Sequence, residues 1–329
     1  MGVSPKDISR RPNKKRHHYV PVSYLAGFTN ADGILYAYRK DDPERALPSR
    51  PQAIAFQKYY YSQPLPDGSY DHNRFEDGLA ELEADWTNLA ARLRDRQRVT
   101  KEDISYLLAF AALQRVRVPA ARDLAERALA HEVKQELRAL DARGELPAKP
   151  EGFSNILELV EVTIDPHKSM EAMAHTLKQL GPLLDTIGYQ IVHNETDVSF
   201  ITSDNPVSYF DPAVSWAEMQ PYRVKRPTGP MELLFPVDAA TMLRGHSDDR
   251  ERFRRNGLKH VSLRDVSAVR KMNRVTARFA YELIIARDTD HQALARAYAE
   301  SSPVLELRGE RLEHVFGRRQ RKPKWKPVE

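Results

Sequence analysis

Between residues 73 and 143 apolar side chains recur at helical spacing, while the flanking stretches are short, alternating and broken by turn residues. That contrast confines the chain to a mixed architecture. Phe75, Leu79, Leu82, Trp86, Leu89 and Leu93 step by four and three, which is one apolar stripe on one helix. "TKED" (Thr100 to Asp103) has the form of a capping box, with Asp in place of the usual Glu or Gln. The helix it opens carries Ile104, Leu107, Leu108 and Ala111. Pro119 then marks either a kink or the first turn of a further helix, which runs to about Arg143 and stops at Gly144. After the exposed loop "GELPAKPEGF" the helical pattern returns over 154–187.

The flanks read differently. "ILYAYR" alternates around Tyr36 and Tyr38 behind the turn signal "NADG", and the aromatic "QKYYYS" reads as extended. Beyond the helices, "YQIVHNETDVSFIT" predicts two short strands around a turn at Asn194 to Asp197. "ELLFPV" and "TMLRGH" predict two more, and "VLELR" a last one. "LRDVSAVRKMNRVTARFAYELIIAR" reads as one long helix. The class is therefore α+β: a helical middle region packed with short strands from the N-terminal and C-terminal segments, which could share a single sheet.

Charge divides the chain. Its formal net charge is +5, yet residues 1–16 and 317–329 each carry a net +5, so the residues between them carry −5. The expected organisation is a basic flexible tail over 1–16, a single domain over 17–316 and a second basic flexible tail over 317–329. Such ends suit nucleic acid or another polyanion as partner, or act only as solvated tails. Cysteine is absent, which removes disulfides, zinc–thiolate sites and cysteine nucleophiles. No apolar run approaches the roughly 18 residues of a membrane span, and the first residues lack a signal-like apolar core. A cytoplasmic protein without a membrane partner is expected.

A few polar residues fall where apolar ones belong. Leu107, Ala111 and Gln114 follow i, i+4, i+7, and Arg117 shares a face with Gln114. An inward arginine has to be paired or has to face a pocket, because an unpaired buried charge costs several kcal/mol. Val266, Asn273, Ala277, Ala280 and Ile284 form a second stripe, with Asn273 as its polar member. "SDNPV" sets Asp204 at a strand end, where a carboxylate either serves a cleft or closes a turn. His17 and His18 point to opposite sides of an extended segment; His18 is favoured for a pocket because Tyr19-Val20-Pro21 starts the apolar run beside it. Glu76 and Glu83 share a helix face and read as solvated. "HEVKQ" lacks the second histidine of a zinc-protease helix, and no phosphate-binding loop, dinucleotide fingerprint or G-x-S-x-G elbow is present.

"HHYVPVSYLAGF", "LQRVRVPAARD", "FITSDNPV" and "MNRVTARFAYELIIA" together resemble the DUF4238 family, bacterial proteins of unassigned function, over about His17 to Ile285. The resemblance marks His18, Tyr19, Pro21, Tyr24, Leu25, Phe28, Gln114, Arg117, Pro119, Asp204, Pro206 and Asn273; Val22 departs from it, standing where the family more often has a polar residue. It implies a grouping of residues and no particular reaction. The expectation built on it is one polar pocket. In a hydrolase acting on a phosphodiester or nucleic acid, His18 and Asp204 would be catalytic or would hold a divalent metal, with Gln114, Arg117, Asn273 and Tyr19 binding substrate. In the alternative, the same residues form a non-catalytic ligand- or nucleic-acid-binding module of regulatory or defence use. A third outcome is a network that only braces the N-terminal segment.

Overall fold

The computed structural model describes residues 13–150, 152–153, 156–224, 229–304, 306–308 and 311–313. Most of both expected tails therefore lies outside the described residues. Lys14, at the inner end of the first, is held by an ion pair to Asp77 at 2.7 Å, and its backbone N–H donates to Asn73 Oδ1 at 2.9 Å.

The N-terminal part comprises β1 (Arg16–His18), α1 (Val22–Leu25), β2 (Leu35–Arg39), β3 (Asp42–Ser49), β4 (Phe56–Lys58), β5 (Gln63–Pro64) and β6 (Tyr70–Asp71). The helices α2 (Arg74–Glu83), α3 (Trp86–Arg94), α4 (Lys101–Val116), α5 (Pro119–Ala142), α6 (Ile156–Leu159) and α7 (Pro166–Leu184) form the middle. There follow β7 (Gly188–Asn194), β8 (Thr202–Ser203), β9 (Ser208–Phe210), β10 (Glu232–Pro236), β11 (Thr241–His246), α8 (Arg250–Asn256) and β12 (Lys259–Leu263). The chain closes with α9 (Val266–Phe279), β13 (Leu283–Ala286), α10 (Gln292–Ala297), β14 (Glu306–Arg308) and β15 (Arg311–Glu313). The fold is α+β.

The strands build separate sheets. One has the order β12-β7-β11-β10-β9, antiparallel except for β12 beside β7. The other is β3-β2-β13-β8, all antiparallel. Three two-stranded pairs complete the set: β1–β4, β5–β6 and β14–β15. The two strands predicted in "YQIVHNETDVSFIT" part company, because the Asn194 side chain accepts the Thr196 N–H at 3.0 Å and turns the chain from the first sheet toward the second.

Two predicted helices break. The stripe over 75–93 is carried by α2 and α3, separated by Ala84 and Asp85, with Asp85 at φ −90°, ψ −2°. This corner turns Trp86, Leu89 and Leu93 into the core and leaves Leu82 56% exposed. The long helix predicted to reach Arg287 ends at Phe279, where Ala280 takes ψ 141°. The residues "LIIA" instead pair with both β2 and β8. Paired isoleucines in a buried strand outweigh the helical period. "QKYYYS" is extended only to Lys58; Tyr59 adopts φ 57°, a left-handed conformation that costs a bulky residue about 1–2 kcal/mol. Its N–H donates to Lys15 O at 3.1 Å, and the Ser62 N–H donates to Tyr59 O at 3.1 Å, so both ends of the turn are tied.

Other expectations hold. Thr100 and Asp103 form the reciprocal capping box of α4, and Pro119 is the first residue of α5. The main core unites residues from Tyr19 to Val304 around an aromatic cluster in which Trp86 stacks on Phe110 at 3.9 Å and Tyr24 on Phe235 at 5.4 Å. Each such ring removed from water contributes about 1.5–3 kcal/mol. Gly27 permits the close approach of the N-terminal turn to the β10–β11 connection, since a Cβ there would meet Asp238 Cβ at 2.9 Å. Among the described residues no helix is long and apolar enough to cross a membrane.

Candidate functional site

The segment "QRVRVP" at the α4–α5 junction makes the site. Arg117 caps the C-terminus of α4, and Val118 turns extended at φ −81°, ψ 155°, as a residue before proline must. Pro119 starts α5 at once. This tight reversal sets Arg115, Arg117 and Arg122 around one cavity of about 210 Å³. Tyr60 and Tyr61, delivered by the strained turn at Tyr59, form one wall, and Met173 and Thr176 of α7 another. The α5 wall is Ala121, Leu124, Ala125 and Ala128.

Two of the three arginines have acidic partners. Arg117, almost wholly buried, forms an ion pair with Glu83, donates to His18 O at 2.6 Å and donates from Nε to Tyr61 Oη at 3.2 Å. Burial opposes its charge, but Tyr61 and Glu83 more than reverse that, so its pKa is raised. Arg122 sits 3.5 Å from Glu126 one turn along α5 and donates to Tyr60 O at 3.1 Å.

Arg115 differs. It is 4% exposed, and its Nε and Nη1 have no hydrogen-bond acceptor among the described residues. No carboxylate among them lies within ion-pair distance of it. Its guanidinium lies over the Tyr222 ring at 3.4 Å, a cation–π contact that offsets only part of the lost hydration. Tyr222 in turn meets Asn205, whose Nδ2 also donates to Phe279 O at 2.7 Å.

The residues singled out in the sequence meet different partners. Arg117 and His18 meet, through the His18 carbonyl and not its ring. The His18 imidazole is half-buried, reaches Gln52 O at 3.4 Å through Nε2, and has its pKa lowered by burial. The fully buried histidine is His17: Tyr61 N–H donates to its Nδ1 at 2.9 Å, and its Nε2 donates to Lys14 O at 2.9 Å.

Asp204 lies at the end of β8. It accepts the Tyr281 N–H at 2.8 Å on Oδ1, and the Glu282 and Leu283 N–H groups at 2.6 and 3.0 Å on Oδ2. It thus holds the bend where α9 gives way to β13. Tyr19 is buried close enough that Asp204 adds to the upward shift that burial imposes on its phenol. Asn273 fastens α9 to the chain before β8, accepting from Ile201 N–H at 3.2 Å and donating to Ser199 O at 2.8 Å. Gln114 is fully buried, with neither amide atom hydrogen-bonded among the described residues. No hydrogen bond or ion pair among the described residues links His18 to Asp204, or Asn273 to Arg117. No group of three His, Cys, Asp or Glu side chains among them is gathered to hold a metal ion.

Arg115, Arg122, Tyr61 and Glu83 escaped sequence reasoning. Arg115 had a signal, since it follows Ala111 by four residues on the buried side of α4. Glu83 looked like one of a solvated pair with Glu76, whereas it faces a buried guanidinium.

A model of the DUF4238 family, described as a protein of unknown function, matches residues 16–290. No curated protein and no solved structure matches the chain. The chain belongs to the DUF4238 family.

Proposed function

We propose that this DUF4238 member is a binding protein for a small organic anion, which it takes into the cavity at the α4–α5 junction. One observation carries this reading: Arg115, buried to 4% exposure, lines the cavity while its Nε and Nη1 have no acceptor among the described residues, and its two arginine neighbours have carboxylates. A buried guanidinium without an anion costs several kcal/mol. A ligand carboxylate or phosphate removes that cost through charge-assisted hydrogen bonds.

The hydrolase reading placed a general base at His18 and its partner, or a shared divalent metal, at Asp204. The geometry lends it less support. Asp204 already accepts three backbone N–H groups, and the His18 ring turns to a backbone carbonyl. A polyanion such as nucleic acid held by the basic ends is a separate proposal resting on their charge alone.

The test is thermal melting with a panel of small carboxylates, phosphate monoesters and their neutral amides at constant ionic strength. Anions should raise Tm in the wild type, neutral analogues should not, and Arg115→Met should abolish the response. A panel without effect on the wild type, or an equal effect on Arg115→Met, would overturn the proposal.

A further inference from the structure

Charge, shape and size at this cavity narrow the ligand class. Resting on the reading of the cavity as the binding site, we infer that its ligand is a monocarboxylate with a compact aryl or branched-alkyl body, not a phosphate ester. Charge comes first. Arg117 is matched by Glu83 and Arg122 by Glu126, whereas Arg115 on the same cavity wall has no ion pair among the described residues. A carboxylate brings one negative charge and matches it. A phosphate monoester brings about 1.5–2 negative charges near pH 7 and would leave part of that charge buried without a partner.

The walls speak for an apolar body. Ala121, Ala125 and Ala128 follow i, i+4, i+7 on α5 and so share one face, and their small side chains hollow out the space that longer ones would fill. Leu124, Met173 and Tyr60 complete an apolar lining, in which a thioether and a phenol ring both suit an aromatic guest. Thr176 is exposed and its hydroxyl is engaged with Ala172 O at 2.8 Å, so that side offers no second anchor. Size sets the limit. A cavity of about 150 Å³ admits benzene; the 210 Å³ here leaves room for a ring or branched chain plus its carboxylate.

Calorimetric titration with benzoate, acetate, phenyl phosphate and benzamide at constant ionic strength tests the inference. Benzoate should bind at least tenfold more tightly than acetate or phenyl phosphate, and benzamide should not bind. Ala125→Leu and Ala128→Leu, each checked for an unchanged melting temperature, should weaken benzoate at least tenfold and leave acetate within about threefold. Phenyl phosphate equal to or tighter than benzoate, or benzoate indifferent to both leucine variants, would overturn the ligand class and leave the cavity standing as an anion site. Failure of every anion, or benzoate binding retained by Arg115→Met, would remove the site itself and the class with it.

Discussion

Asp204 stands at a strand end, a place from which a carboxylate can serve a cleft, and its side chain instead receives three successive N–H groups from residues 281–283. The carboxylate thus does for this junction what a cap does for a helix end. Asp204→Asn replaces one accepting oxygen by a donor aimed at other donors. It should cost about 2–4 kcal/mol in chemical denaturation; a variant as stable as the wild type would deny this role. The position was legible in "SDNPV", but the role was not, because it depends on a helix end 77 residues away. A pH effect belongs to His193. Its Nε2 lies 2.8 Å from His260 Nδ1, and burial, followed by the Arg96 and His260 charges, holds its pKa down to about 4 from the ordinary 6.5. Between those values the unfolded chain binds a proton that the folded chain refuses, so stability is flat above this window and falls as pH drops through it. His193→Gln should remove about 2 kcal/mol of the wild-type loss between pH 7 and pH 4; an unaltered slope would contradict the assignment.

At the scale of elements, the α4–α5 reversal and the strained Tyr59 turn create the site, and α2 braces it. Glu83, in the last turn of α2, reaches the Arg117 guanidinium, and Arg117 also holds the β1 carbonyl of His18. Glu83→Gln orphans that buried charge and should cost about 3–5 kcal/mol, read from urea midpoints at constant slope. A loss under 1 kcal/mol would mean that Arg117 finds another partner. The capping box of α4 is a smaller brace: Thr100→Ala should cost about 1 kcal/mol. How much could be read ahead varies with the range of the cause. The capping box and Pro119 are local chemistry, and the structure keeps both. The split of the last long helix is not local. "FAYELIIA" continues an apolar period that suits a helix until β2 and β8 offer its isoleucines two strands to pair with.

The whole molecule gathers residues from 19 to 304 into its main core, and the functional question turns on why the buried Arg115 has no counter-charge among the described residues. Arg117 was legible because it shared a face with Gln114; Arg115 carried a weaker signal, four residues after Ala111, and its lack of a counter-charge is decided by the tertiary fold. A residue kept for binding leaves a mark on stability. If Arg115 serves only architecture, removing it should destabilise the chain as losing any buried anchor does. If it waits for an anion, the unliganded protein bears its desolvation cost, and an apolar replacement of similar length relieves it. The decisive measurement is the unfolding free energy of Arg115→Met beside the wild type, without ligand, by urea denaturation. The account predicts a variant as stable as the wild type or up to about 2 kcal/mol more stable, after allowing for the lost contact with Tyr222. A variant destabilised by about 3 kcal/mol or more would show Arg115 to be part of the scaffold and would contradict the binding site.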